Sequence, residues 1–110
     1  MRVLILGGSG ILSTDFTMKV LDEDNEVFLL NRGKHQTIQD GRIHKIVGDF
    51  RNESVDELRK KILGCKYDVV VDFLTFIPEH LTKTLSIING LFEQYIFISS
   101  ATTYIKRNND

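Results

Sequence analysis

Cysteine occurs once in this sequence, at Cys65. A single thiol excludes an internal disulfide and any metal centre built from several cysteines, and it suits a reducing cytoplasm. Cys65 reads as a small apolar residue beside the turn at Gly64. Histidine is nearly as sparse: His35, His44 and His80 are scattered, with no carboxylate or cysteine at ligand spacing, so no metal site is expected. Neither sign of charge dominates. A net charge of -1 leaves no basic footprint for nucleic acid or a membrane surface. Long apolar runs are missing as well. The N-terminal run behind Arg2 is broken by glycine after Leu6, too early for the apolar region of a signal peptide, and nothing later approaches a membrane span. No repeat, linker or low-complexity segment stands out. These absences point to a cytosolic globular domain with no membrane or nucleic-acid partner. The 110 residues, 42% hydrophobic and 26% charged, make a single domain over 1–110.

What is present is alternation. Residues 3–6 form a continuous apolar, β-branched run, the pattern of a strand buried on both faces. Ile11, Leu12, Phe16 and Val20 then recur at helical spacing, up to an acidic stretch over 22–26. A second buried strand over 27–30 closes on Asn31-Arg32-Gly33, a polar loop follows over 34–42, and a third short strand over 43–47 leads into Gly48-Asp49. Ser54 with Glu57 three residues on is a capping box; behind it Val55, Leu58 and Ile62 share one helical face, and Gly64 supplies a stop. A fourth strand spans 69–72. Pro78 suits a first helical position, with Leu81, Leu85 and Ile88 as the apolar face up to Gly90. A fifth strand covers 95–98, followed by Ser99-Ser100-Ala101 and a polar tail over 106–110. Short buried strands alternating with helices or connections predict an α/β fold, a doubly wound parallel sheet of about five strands.

In such a sheet the ligand site lies beyond the carboxyl ends of the strands. The stretch "LILGGSGILSTDF" places its glycines at that edge. Gly7 permits the sharp turn out of the strand. Gly10 removes a side chain where backbone must approach a pyrophosphate, and the helix opening there presents free N–H groups at its positive end. Ser13 takes the third small position, where helix and strand pack closely. The plainer alternative is a tight strand-to-helix turn with no ligand. Strand, glycine turn, periodic helix and second strand together favour the phosphate site.

The spacing is Gly7-x-x-Gly10-x-x-Ser13, and "GGSGILS" occurs with "FLLNRG", "GDFRN", "DVVVDFL" and "YIFISSATTY" in order along the chain. In these motifs the sequence resembles the N-terminal part of an extended or atypical short-chain dehydrogenase/reductase, more narrowly the NAD-dependent epimerase/dehydratase family. The resemblance covers nearly the whole chain. It implies a Rossmann-type dinucleotide-binding domain whose C-terminal part is missing. Gly7, Ser9, Gly10, Ile11 and Leu12 would cradle the pyrophosphate, Asn31 and Arg32 would meet the adenosine ribose, and Asp49 with Phe50 would contact the adenine edge. Leu74 and Thr75 would line the pocket after the fourth strand. Ser100 stands where the family keeps the serine of its catalytic triad.

Plainer readings stand beside these. Asp49 can cap a turn after Gly48. Asp72 at a strand end reads as structural, and Phe73 and Phe76 as core. Asp15, in the second turn of the phosphate-binding helix, is harmless only if it points outward. A larger departure is the missing tyrosine with a lysine four residues on, whose charge lowers the phenol's pKa in relatives; Lys106 is only two residues from Tyr104. The reading is therefore a domain that binds NAD or NADP without turnover, from a parent acting on a sugar nucleotide or similar hydroxyl-bearing substrate. A non-enzymatic sensor of nicotinamide nucleotides is the alternative. A methyltransferase using S-adenosylmethionine also places glycines after its first strand, but it wants an acid ending the second, where Asn31-Arg32 stands. Neutral and cationic residues there favour NADP, because an acid would repel a 2′-phosphate. With the fifth strand at the sheet's edge, a homo-oligomer paired through that edge is expected.

Overall fold

The computed structural model describes residues 1–7, 11–32, 41–73, 78–98 and 103–107, the side chains of 11–14, 78, 79 and 103–107 excepted. The elements are β1 (Arg2–Leu6), α1 (Ile11–Asp22), β2 (Glu26–Asn31), β3 (Ile43–Val47), α2 (Val55–Ile62), β4 (Tyr67–Asp72), α3 (Pro78–Ile88), β5 (Phe92–Ile98) and β6 (Thr103–Arg107). The sheet runs β3-β2-β1-β4-β5-β6. Its first five strands are parallel, with Ile5 opposite Leu29 on one side and Val71 on the other. The order reverses between β1 and β4, which makes this a doubly wound α/β sheet of the Rossmann type.

Continuous apolar strands are what a sheet covered on both faces requires. Leu4 and Leu6 of β1 join Leu30, Val70 and Tyr95 in a core closed by Leu58 and Ile62 of α2 and Ile87 and Ile88 of α3. Val3 and Ile5 turn the other way, to Val27, Leu29, Ile43, Val71 and Leu21 of α1. Asp72 is buried and accepts a hydrogen bond from the Tyr95 hydroxyl at 2.6 Å, the structural use expected of it. Phe73 packs edge-on to Phe16, their ring centroids 5.8 Å apart.

The capping box forms: the Ser54 hydroxyl accepts from the Glu57 N–H at 3.2 Å, and Glu57 returns the contact to Ser54 N. The helix stop differs from expectation. α2 ends through Leu63 in the right-handed region, whereas Gly90, at φ 77°, is the glycine that uses left-handed backbone after α3.

A larger correction concerns the far edge of the sheet. The sequence predicts a fifth strand that lies open there and pairs with a second copy. Instead β6 turns back antiparallel along β5, Ile105 opposite Ile96 and Thr103 opposite Ile98. The β5 ladder is satisfied by the chain itself, so a homo-oligomer cannot be built through that edge as it stands. Thr103 and Tyr104 carry the β propensity that permits this, and the first two residues of the polar stretch over 106–110 belong to the strand.

Candidate functional site

The carboxyl ends of β1, β2, β3 and β4 are stitched together just past the last ladder pairs. Gly7 N–H donates to Leu30 O at 2.8 Å, Gly48 N–H to Asn31 O at 2.8 Å, and Phe73 N–H to Leu6 O at 2.9 Å. Gly7 does this at φ 100°, in a region where a side chain is strained, so glycine is required at the exit of β1. Gly48 is required for a different reason. A Cβ there would lie 2.8 Å from Leu30 Cδ1 and 3.0 Å from Leu58 Cδ2, both fully buried.

From this edge α1 begins at Ile11, with no acidic residue in its first turn to neutralise the positive end of the helix. Asp15 is exposed, the harmless orientation.

The loop after β3 is tightly built. One oxygen of the Asp49 carboxylate accepts from Arg51 N at 3.0 Å and Asn52 N at 3.2 Å, and the other accepts from Asn52 Nδ2 at 2.8 Å. The Asp49 N–H donates to Glu53 Oε2, and Glu53 Oε1 is 2.5 Å from Lys61 Nζ. Lys61 also donates to Val47 O at 2.8 Å. The Asn52 amide, two main-chain N–H groups and the nearby Arg32 charge hold the Asp49 carboxyl below its usual value. Hydrogen bonds from Lys61 and Asp49 N hold Glu53 low in the same way.

The structure thus gathers Gly7, Asn31, Arg32, Asp49 and Phe50 at one edge of the sheet. Arg32 is exposed yet close enough to act on Asp49. Asp49 does cap its turn, as its plainer reading had it. Ile11 and Leu12 open α1, although their side chains lie outside the described residues. Ser9, Gly10, Leu74, Thr75 and Ser100 also lie outside them.

Sequence reasoning missed the residues that hold this loop. From α3, Lys83 Nζ donates to Phe50 O at 2.5 Å and Glu53 O at 2.9 Å, and lies 5.0 Å from the Phe50 ring centroid. His80 meets the same ring edge-on at 5.9 Å. The i, i+3 spacing of His80 and Lys83 gave the one available signal, that both share a helix face. Among the described residues no group of histidine, cysteine, aspartate and glutamate side chains could hold a metal ion. No helix among them is long and apolar enough to cross a membrane.

No protein-family model matches the chain, and a search of curated proteins found no match. Solved structures do match. An epimerase from Methanothermobacter thermautotrophicus is 18% identical with TM-score 0.73, over 90% of this chain and 35% of that one. A dTDP-glucose 4,6-dehydratase from Bacillus anthracis, in complex with NAD, is 19% identical with TM-score 0.68, over 90% of this chain and 37% of that one. MycE, a methyltransferase of mycinamycin biosynthesis in complex with Mg and SAH, is 18% identical with TM-score 0.67, over 87% of this chain and 26% of that one. This chain therefore spans between 26% and 37% of the length of these three proteins. At such identities the likeness establishes the α/β Rossmann-type fold, which serves more than one ligand class.

Proposed function

We propose that this chain is an NAD(P)-binding domain of the epimerase, dehydratase or reductase kind. The observation that carries the reading is the meeting, at one sheet edge, of a positive-φ Gly7 before α1 with Asn31-Arg32 and the built loop at Asp49. The residues fit a dinucleotide. Gly7, Ser9 and Gly10 would cradle a pyrophosphate, and the opening of α1 at Ile11 and Leu12 would offer N–H groups to it. On the resemblance Asn31 and Arg32 would meet the adenosine ribose, Asp49 and Phe50 the adenine, and Leu74 and Thr75 the pocket after β4. The NAD complex of the Bacillus anthracis dehydratase supports this ligand class.

When bound, the cofactor supplies hydride chemistry, for a hydroxyl-bearing carbon of a sugar nucleotide or similar substrate. Ser100, at the position of the resembled family's triad serine, would hold the substrate oxygen through a hydrogen bond. No tyrosine in the 110 residues has a lysine four positions on, so nothing here matches the proton-moving pair of the resembled family. The chain by itself binds and does not turn over. Arg32, a planar donor fork, favours the 2′-phosphate of NADP.

Titration of the 110-residue chain with NADH, NADPH and S-adenosylhomocysteine tests the reading. Saturable nicotinamide binding, with NADPH tighter, supports it. Binding of S-adenosylhomocysteine in place of both nucleotides would falsify it, and would transfer the Asn31-Arg32 edge to a different ligand.

A further inference from the structure

We infer that Lys83 is a positioning residue: through two main-chain peptides it sets the carboxylate of Asp49 for the adenine half of the ligand. The inference rests on the proposed nucleotide site and goes further, assigning a role to a residue on α3 that borders none of the sequence motifs.

A peptide group is planar and trans, so its C=O and N–H point in opposite directions. In the peptide between Phe50 and Arg51, the carbonyl accepts from Lys83 Nζ at 2.5 Å, while the N–H donates to Asp49 Oδ1 at 3.0 Å. The lysine and the aspartate therefore grip opposite ends of one rigid plane. In the peptide between Glu53 and Ser54, the carbonyl accepts from the same Nζ at 2.9 Å, and the N–H faces Glu57 Oε1 at 3.4 Å, the return contact of the capping box. One ammonium thus orients two peptides of the loop between β3 and α2, one in its middle and one at its helix end. The Phe50 ring, 5.0 Å from Nζ and 5.9 Å from the His80 ring, covers the charge.

Within the loop the other side-chain restraints come from near neighbours in sequence, while Gly48 N–H joins its start to Asn31 O of β2. Asp49, Arg51, Asn52, Glu53 and Lys61 bond among themselves, within twelve residues of one another. Lys83 anchors the loop to α3, 33 residues from Phe50. It comes from the helix that follows β4, and β4 lies on the opposite side of β1 from β2 and β3. It therefore ties the adenine wall to the other half of the sheet, across the point where strand order reverses. A half-buried lysine holding two carbonyls has little freedom, which is what a preorganised recognition group requires of its support.

The test separates the two halves of the dinucleotide, with AMP and NMN as probes against the full chain. In Lys83→Met, AMP affinity is expected to fall about tenfold, as loss of a charge-assisted anchor implies, while NMN affinity stays unchanged. Lys83→Arg, which keeps two donors, restores AMP binding to within about threefold. If the methionine variant does not fold by circular dichroism, Lys83→Gln, with a single donor pair, is expected to show a smaller loss of the same kind. Unchanged AMP affinity in a folded variant overturns the inference. So does an equal loss of both probes, or a failure of arginine to restore binding. A wild-type chain that binds neither NAD nor AMP overturns the proposed function first and this inference with it. Wild-type binding with an indifferent Lys83 overturns the inference alone.

Discussion

Gly7 and Gly48 are both glycines of necessity, and the difference between them is instructive. At Gly7 the requirement is conformational, φ 100° at the exit of a buried strand. A sequence reveals such a place, because an apolar run that stops dead at glycine has few other meanings. At Gly48 the requirement is steric and comes from residues 18 positions before and 10 after it. Gly48→Ala must shift the Leu30 and Leu58 side-chain ends within a packed core, so we expect a loss of about 1–3 kcal/mol, read by urea denaturation with an unchanged m-value. Arg32 belongs to the same edge. Its charge acts on Asp49, so part of its field is already engaged. On the proposed reading, Arg32→Ala should nevertheless remove a preference for NADPH over NADH. A preference that persists in the mutant would mean that Arg32 reads neither ribose oxygen.

Helix α2 shows what an element inherits from its first turn. Ser54 and Glu57 satisfy each other's end of the helix, and Ser54→Ala should cost about 1 kcal/mol in thermal or chemical denaturation. The loop before it adds a pH dependence. Glu53 and Asp49 sit below their ordinary values of 4.5 and 3.8, held there by Lys61 and Asn52 respectively. With folded values below unfolded ones, the unfolded chain takes up these protons first. The contribution of both carboxylates is whole above their ordinary values and is lost as pH falls through the folded ones. Denaturation midpoints should therefore drop on acidification below about pH 4.5, and Glu53→Gln should make that drop shallower. An acid limb identical in the mutant would assign the dependence to other carboxyls. The capping box was legible from Ser-x-x-Glu alone, since capping is a matter of four adjacent residues. The clamp of Lys83 on the same loop was not, since its partners lie 30 and 33 residues away.

For the whole molecule, the decisive feature is β6. It closes the β5 edge by antiparallel pairing and, among the described residues, makes β6 the last strand on that side. In an antiparallel ladder, alternate residues direct their N–H groups at the partner strand, so of Tyr104 and Ile105 one donates to β5 and the other does not. Proline removes that donor. Of Tyr104→Pro and Ile105→Pro, one should therefore release the β5 edge and promote self-association in light scattering across a dilution series, while the other perturbs the sheet less. A chain that stays monomeric in both would show that β5 resists pairing without β6.

The sequence by itself determined the alternation of strands and helices, the parallel character of β1 to β5, the demand for glycine at the β1 exit and the cap of α2. Each of these follows from periodicity, burial pattern or the geometry of a few neighbouring residues, which are local properties of the chain. It also narrowed Asp72 to a structural role, and the 2.6 Å bond from Tyr95 gives that role its partner. Only the tertiary structure decided the direction of β6, the steric exclusion of a side chain at Gly48, and the grip of Lys83 on the Asp49 loop. All three are contacts between segments distant in sequence. Their geometry depends on strand order and on helix placement over the sheet, and no pattern within a single segment encodes it.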